Sequence, residues 1–161
     1  MSVLAVAVVL VGLLGVVNLL LTVRILRTMR STPPPPPRIV GPFEANTTQG
    51  AAVGKALLTG TTLVAVVSPD CHVCEERLPE LVARAARHDR DQVLAVVVGE
   101  DGESAGHVAR LEPVAHVVRE DVGGPVARAL EVPGFPWFAL LGADGTVRAS
   151  GADLGVLDTP V

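Results

Sequence analysis

The chain opens on an apolar block and then changes rhythm. Val3 to Val23 is a run of twenty-one residues without a charge, with Asn18 and Thr22 its only clearly polar members. At about 1.5 Å rise per helical residue such a run spans the roughly 30 Å hydrocarbon layer of a bilayer. The pattern predicts a transmembrane anchor over residues 1–24. A cleaved signal peptide is the competing reading, but it would want a basic start, a shorter apolar stretch and a small-residue cleavage site. Here the start is Met1-Ser2, the run is long, and Arg24, Arg27 and Arg30 follow it. Residues 25–39 then read as a basic, proline-rich spacer. Its five consecutive prolines, Pro33 to Pro37, favour a polyproline II rod of roughly 15 Å at about 3.1 Å per residue. A ligand for a proline-binding domain is the sharper alternative.

From residue 40 to 161 the pattern alternates between strands and helices. Thr62 to Val67 (TLVAVV) and Val93 to Val98 (VLAVVV) are continuous β-branched apolar runs, the mark of strands buried on both faces. Between them, Cys71 to His88 is helical in pattern, with Leu78, Leu81, Val82 and Ala85 at i, i+3, i+4 and i+7. Glu103 to Leu111 predicts a short helix, His116 to Arg119 a short strand, and Pro125 to Leu130 a helix with Pro at its first position. Trp137 to Leu141 and Thr146 to Ser150 flank Gly142-Ala143-Asp144-Gly145, a hairpin signal. Phe43 to Gly60 reads only as a short strand or loop leading in. These elements imply an α/β fold class, a mixed and mostly parallel sheet flanked by helices.

Composition narrows the function. Apolar residues are 49% of the chain but aromatics only 2%, so the core must be built from Val, Leu and Ala. Residues 1–37 carry three Arg and no acid; residues 38–161 carry ten basic and seventeen acidic residues, net −7. An acidic globular part excludes nucleic acid as an expected partner, since phosphate binding needs a positive field.

The candidate chemistry lies in Cys71-His72-Val73-Cys74, which holds both cysteines of the chain at a strand-to-helix junction. A helix N-terminus offers free N–H groups and a positive dipole end, which stabilise a thiolate at Cys71. Cys74, one turn in, is placed to resolve a mixed disulfide. His72, when charged, would favour the thiolate and Asp70 would oppose it, so both are expected to tune the thiol. Other readings of the pair are weaker. A structural zinc site needs four ligands, and His88, His107 and His116 are scattered. A purely structural disulfide across two residues would staple little. Ser68, three residues before Cys71, faintly suggests a thiol peroxidase, but the proline such enzymes carry upstream would fall at Val64.

The string Val66-Val67-Ser68-Pro69-Asp70-Cys71-His72-Val73-Cys74, with Pro79 five residues beyond, resembles the thioredoxin superfamily. So does Val132-Pro133-Gly134-Phe135-Pro136-Trp137 ahead of an Asp-Gly hairpin. The resemblance covers roughly residues 40–150 and implies a thioredoxin-like domain that exchanges disulfides with other proteins. It further implies that Cys71 is the nucleophile, Cys74 the resolving thiol, Pro136 a cis-proline and Phe135 the residue whose backbone pairs with substrate. No cofactor or metal is implied. The anchor and the Ser-Pro-x-Cys-x-Val-Cys pattern look most like the bacterial envelope group, which includes the cytochrome-maturation and methylamine dehydrogenase accessory thioredoxins. Expected partners are thiol- or disulfide-bearing substrate proteins, a redox partner and the membrane. Sidedness is contested. Arg24, Arg27 and Arg30 would hold the domain in the cytoplasm by the positive-inside rule, whereas the resemblance favours an extracytoplasmic domain, which is the reading adopted. Two departures stand out. Ala65 occupies the place of the family's buried acid, so Glu75, Glu76 or water would have to serve. After Ser150 there is also too little chain for a full terminal helix, which would leave one sheet face thinly covered. The rival reading is a non-catalytic thioredoxin-fold binding or scaffold module.

Overall fold

The computed structural model describes residues 2–30, 38–54 and 60–158, and the chain divides into two compact units, Met1–Pro36 and Pro37–Val161. The first contains one helix, α1 (Ser2–Arg30). It continues past residue 24, where the anchor was expected to give way to the spacer. Residues 25–30 contain neither Gly nor Pro, and Ile, Leu, Arg and Met are tolerated well in a helix. Side chains are described from Ala7 to Arg24 except Val9. Apolar ones are exposed all round, among them Val8, Val11 and Leu14 at 66, 71 and 70%. Among the described residues no helix is long and apolar enough to cross a membrane. The proline run at 33–37 lies outside the described residues.

In the second unit, two three-residue strands, β1 (Glu44–Asn46) and β2 (Ala52–Gly54), form an antiparallel hairpin. The main sheet holds β3 (Thr62–Val67), β4 (Val93–Val98), β5 (His116–Glu120), β6 (Trp137–Leu141) and β7 (Val147–Gly151), in the order β5-β4-β3-β6-β7. Every residue of β3, β4 and β6 is buried, as their unbroken apolar runs require. Alternate residues feed two cores. Leu63, Ala65 and Val67 meet Cys74, Leu78 and Leu81 of α2 (His72–Ala85). Val64 and Val66 meet Val126 and Leu130, at and just beyond α4 (Pro125–Ala129), together with Phe43 and Val53. A further helix, α3 (Asp101–Leu111), packs Leu111 into the α2-side core.

The sheet is mixed, but not mostly parallel: β3–β4 and β4–β5 are parallel, β3–β6 and β6–β7 antiparallel. The cause is the shortness of α4. Five residues rise about 7.5 Å, less than half the length of the strands they accompany. The chain therefore re-enters the sheet at the end where β5 left it, and β6 runs back. The sheet face beyond β7 is better covered than expected. A 3-10 turn, Leu154–Asp158, buries Leu154 completely against the α2-side core, with Val156 and Leu157 partly buried beside it. Arg84 of α2 holds the turn, donating to the Leu154 carbonyl and to Asp158 Oδ1, both at 2.8 Å.

Side-chain clamps fix the ends. At the β6–β7 turn Asp144 accepts from the Thr146 hydroxyl (2.7 Å) and amide (2.9 Å). The Thr146 bonds hold its carboxyl below the usual 3.8, with Arg148 assisting. That contribution is present above the ordinary carboxylate pKa and fades as pH falls through the lowered one. At the other end Glu120 accepts from the amides of Val126 (3.0 Å) and Ala127 (2.8 Å), capping α4. Gly124 makes room, since a Cβ there would collide with the Glu120 carboxyl. Glu100 precedes α3 but makes no side-chain capping bond. Glu120→Ala is therefore expected to destabilise the domain by about 1–3 kcal/mol, against about 0.5 kcal/mol or less for Glu100→Ala. Urea denaturation of both variants measures the contrast.

Candidate active site

β3 is the central strand, and the chain leaves its carboxyl end as Ser68-Pro69-Asp70-Cys71 before entering α2. On one side β4 continues the parallel set; on the other β6 runs antiparallel. Connections diverge here, with α2 crossing one face towards β4 and α4, packed on the other, leading into β6 at this same end. In open α/β sheets ligands bind in the crevice that such a switch creates. The turn is packed from β4: a Cβ on Gly99 would lie 2.8–2.9 Å from the Pro69 ring, so only glycine permits this approach.

Cys71 is the N-cap of α2, with extended backbone (φ −99°, ψ 105°), and its Sγ accepts from the Cys74 amide at 3.2 Å. Its carbonyl takes the Cys74 and Glu75 amides at 2.9 and 3.2 Å. The sulfur thus satisfies one of the free N–H groups that open the helix. Cys71 is partly exposed and Cys74 fully buried in the α2-side core. The two are disulfide-bonded, with Cα atoms 5.1 Å apart. Pro79 interrupts the helix one turn further on, leaving the Glu75 carbonyl without its helical partner.

The sheet register places the second sequence signature beside the first. Val66 pairs with Trp137, so Pro136 stands at the level of Val67, where β3 ends. The Phe135–Pro136 bond is cis. Pro136 is buried, while Phe135 keeps 36% of its surface in solvent. Asp70 is exposed before Cys71. His72 is also exposed, and its Nε2 lies 3.2 Å from Glu76 Oε1. Ala65, where the resemblance expects an acid, is fully buried among apolar neighbours.

Two features of this end of the sheet fall outside the sequence motifs. Val122 projects into solvent at 84% exposure from the loop after β5. His107, one of several histidines scattered along the sequence, is buried on α3 and faces Glu75 at 3.4 Å. Its spacing from Ser104 and Leu111 is the signal that could have placed it inward. Among the described residues no three or more His, Cys, Asp or Glu are gathered as a metal site requires.

This fold, with a cysteine pair at the end of its central strand, has counterparts among known proteins. No protein-family model matches the chain. A secreted disulfide oxidoreductase of Mycobacterium tuberculosis superposes with a TM-score of 0.57 at 23% identity, over 69% of this chain and 83% of that one. A thiol-disulfide oxidoreductase of Bacteroides fragilis gives 0.61 at 12%, over 75% and 95%. The fold is thioredoxin-like. The exposed lipoprotein thioredoxin of Streptococcus pneumoniae shares the fold as well, at 0.53 and 20%, over 71% and 90%. Among curated proteins, the methylamine utilization protein MauD of Methylorubrum extorquens is 30% identical over 100 residues, 61% of this chain and 46% of that protein. This thioredoxin-like chain therefore spans less than half the length of that relative.

The geometry sets a bound on His72. An exposed ion pair is worth about 0.2–1 kcal/mol, which for a two-electron couple is about 4–20 mV. A charge on His72 would favour the thiolate and hence the reduced state. His72→Ala is expected to make the Cys71–Cys74 couple more reducing by about 20 mV or less, measured by equilibration with glutathione. No shift beyond error would leave His72 a loop residue.

Proposed function

We propose that this chain is a membrane-tethered thiol–disulfide oxidoreductase that exchanges disulfides with envelope proteins. The observation that carries the reading is the asymmetry of the cysteine pair. Cys71 is partly exposed at the opening of α2, and Cys74 is buried one turn inward. Exchange needs an accessible thiolate that attacks and a protected thiol that releases the product. Cys71 takes the first role, favoured by the helix opening, and Cys74 the second. Neither step needs a metal or cofactor, because the sulfurs carry the electrons themselves.

Pro136 and Phe135 form the substrate side of the site. An extended substrate segment would lie along the loop before β6, pairing with the Phe135 backbone. Phe135, Val73 and Val122 are apolar and exposed in segments at this end of the domain, which suits a partner with an apolar residue near its cysteine. Asp70 and His72 adjust the thiol with opposite signs. The acidic domain gives no support for nucleic acid as a partner. Which protein restores the redox state after each cycle is a separate question, and a dedicated redox partner fills that place.

α1 is proposed to be the anchor, in a single pass. Support comes from the uncharged run Val3–Val23, the helix that contains it and the apolar side chains exposed around it. The domain is proposed to be extracytoplasmic, in keeping with the secreted and exposed proteins that share its fold. Reporter fusions joined after Arg38 are expected to be active only outside the cytoplasm; a cytoplasmic signal reverses the sidedness.

A second reading, a non-catalytic thioredoxin-fold module, draws on Ala65, which leaves β3 without an acid beside the cysteines. The two part on mechanism. Cys74→Ala is expected to accumulate reducible covalent adducts on non-reducing gels, because Cys71 can attack but not let go. Cys71→Ala is expected to accumulate none. Adducts equal in both variants would reverse the assignment, and no adducts with no turnover of a small disulfide would favour the non-catalytic module.

A further inference from the structure

His107 is a buried polar side chain that the proposed exchange chemistry does not use. It sits on the inward face of α3 with Ser104 and Leu111, 5% exposed. Its Nε2 is the one buried side-chain nitrogen or oxygen among the described residues that lacks a hydrogen bond. The atom faces Glu75 Oε2 at 3.4 Å, within ion-pair distance but outside hydrogen-bonding geometry. Glu75 Oε1 accepts from Arg110 Nη1 at 2.8 Å, which anchors the carboxylate between the two helices. Glu75 directly follows Cys74, with Cα atoms about 3.8 Å apart. A buried nitrogen left unpaired is unfavourable, and a state of the molecule in which it gains a proton or a partner would relieve that cost.

The cysteine pair supplies that state, provided that it exchanges disulfides as proposed. In the disulfide form neither sulfur carries a proton. When a substrate thiolate attacks Cys71 Sγ, a bond forms between those sulfurs, the Cys71–Cys74 bond breaks, and its electron pair passes to Cys74 Sγ. Cys74 is fully buried, where charge is disfavoured, so this sulfur takes up a proton. A second substrate thiolate then displaces Cys71, leaving the substrate oxidised and the pair reduced. In the opposite direction Cys74 must lose its proton before it can attack a mixed disulfide. β3 offers no acceptor, since Ala65 stands there among apolar side chains. The other charged groups of the two facing helices are paired or exposed. Arg77 pairs with Glu80 and Asp153, Arg84 with Glu80 and Asp158, and Asp101 with Arg119, while Glu103 is exposed. His72 and Glu76 pair with each other on the exposed side of the turn, Asp70 is exposed before it, and Arg110 is committed to Glu75.

We propose that Glu75 and His107 together hold the proton that Cys74 exchanges, positioning residues for the resolving step that act through the first turn of α2 and not on substrate. Reduced protein mixed with an aromatic disulfide whose released thiolate is coloured reports both steps. Attack by Cys71 releases one thiolate and resolution by Cys74 a second. The full chain, His107→Gln, Glu75→Gln and Leu111→Ala are compared by stopped flow between about pH 5 and 8. Glu75 is largely exposed, so Glu75→Gln keeps the test independent of whether a variant at the buried His107 folds. Leu111→Ala loosens the same face of α3 without touching the pair. In both Gln variants the first step is expected to be unchanged, with the second slowed roughly tenfold or more and its pH dependence flattened. An unchanged second step in both overturns the proposal, as does equal slowing in Leu111→Ala, which would make the role one of packing. No coloured thiolate from the unsubstituted protein overturns the exchange reaction itself, and the proton-holding role with it.

Discussion

The structure turns on what happens at the carboxyl end of β3. A strand buried on both faces leaves its own side chains no access to solvent, so any chemistry has to begin where the strand stops. Here it stops at the switch between the parallel and antiparallel halves of the sheet. The first free backbone donors beyond it belong to α2, and a sulfur caps one of them. A hydroxyl or carboxylate would cap as well. Only a thiol makes the cap itself a candidate nucleophile, so the local need for a helix start and the chemistry fall on one residue. Cys74 then lies on the face that α2 must bury to pack against Leu63, Ala65 and Val67. The difference in exposure between the two sulfurs is a consequence of helical periodicity, not an added device.

The scarcity of aromatic residues sharpens the rest of the site. Of the three Phe and one Trp, Phe43, Phe138 and Trp137 are buried, and Phe135 alone among them is left to solvent, next to the cis-proline. In a core made of Val, Leu and Ala, a large apolar side chain spent on the surface beside a disulfide is a local exception to how the chain uses such residues. Isolated exposed apolar residues are ordinary; this one draws its meaning from position. The acids behave similarly. Several are used structurally at this end, Glu120 capping α4, Glu75 joining α2 to α3 and Asp101 pairing with Arg119.

How legible each element is in the sequence depends on the strength of its local signal. β3, β4 and β6 are legible to the residue because each is an unbroken apolar run. α2 is legible from its Leu78–Leu81–Ala85 stripe, but it ends at Ala85, before the expected His88, because Arg87, His88, Asp89 and Arg90 follow Ala86 and offer nothing apolar to hold another turn. β1 and β2 are three residues each and read only as an uncertain approach; their pairing depends on long-range contacts that no short pattern encodes. The strand directions escape the sequence pattern because they depend on the length of α4. The cysteine pair and the Phe135-Pro136 loop are local strings and are visible as such. The setting of His107 is not, because its buried face mixes Ser, His and Leu, and such a face lacks the contrast that makes a stripe readable.

The chain enters the domain at the end of the sheet away from the cysteine pair. Arg38 is tied to the β6–β7 turn: its carbonyl accepts from the Val147 amide at 2.7 Å, and the next residues bridge Thr146 and Gly145. Val147 pairs with Leu141, and Leu141 with Thr62, so the first described residue of the domain stands where β3 begins. Cys71 stands beyond where β3 ends. The six residues of β3, at about 3.3 Å each, set roughly 20 Å between these two ends of the sheet. Arg38 also reaches Glu131 Oε2 at 3.2 Å and the Leu130 carbonyl at 3.4 Å, so the entering chain is pinned by side-chain contacts as well as by the sheet. The contacts of the entering chain are confined to that end, to the β6–β7 turn and the residues around the end of α4. The capping sulfur, the Pro69–Gly99 contact and the cis-proline lie at the other end of β3. The entry of the chain and the disulfide therefore share no contact through which a change at one would directly displace the other.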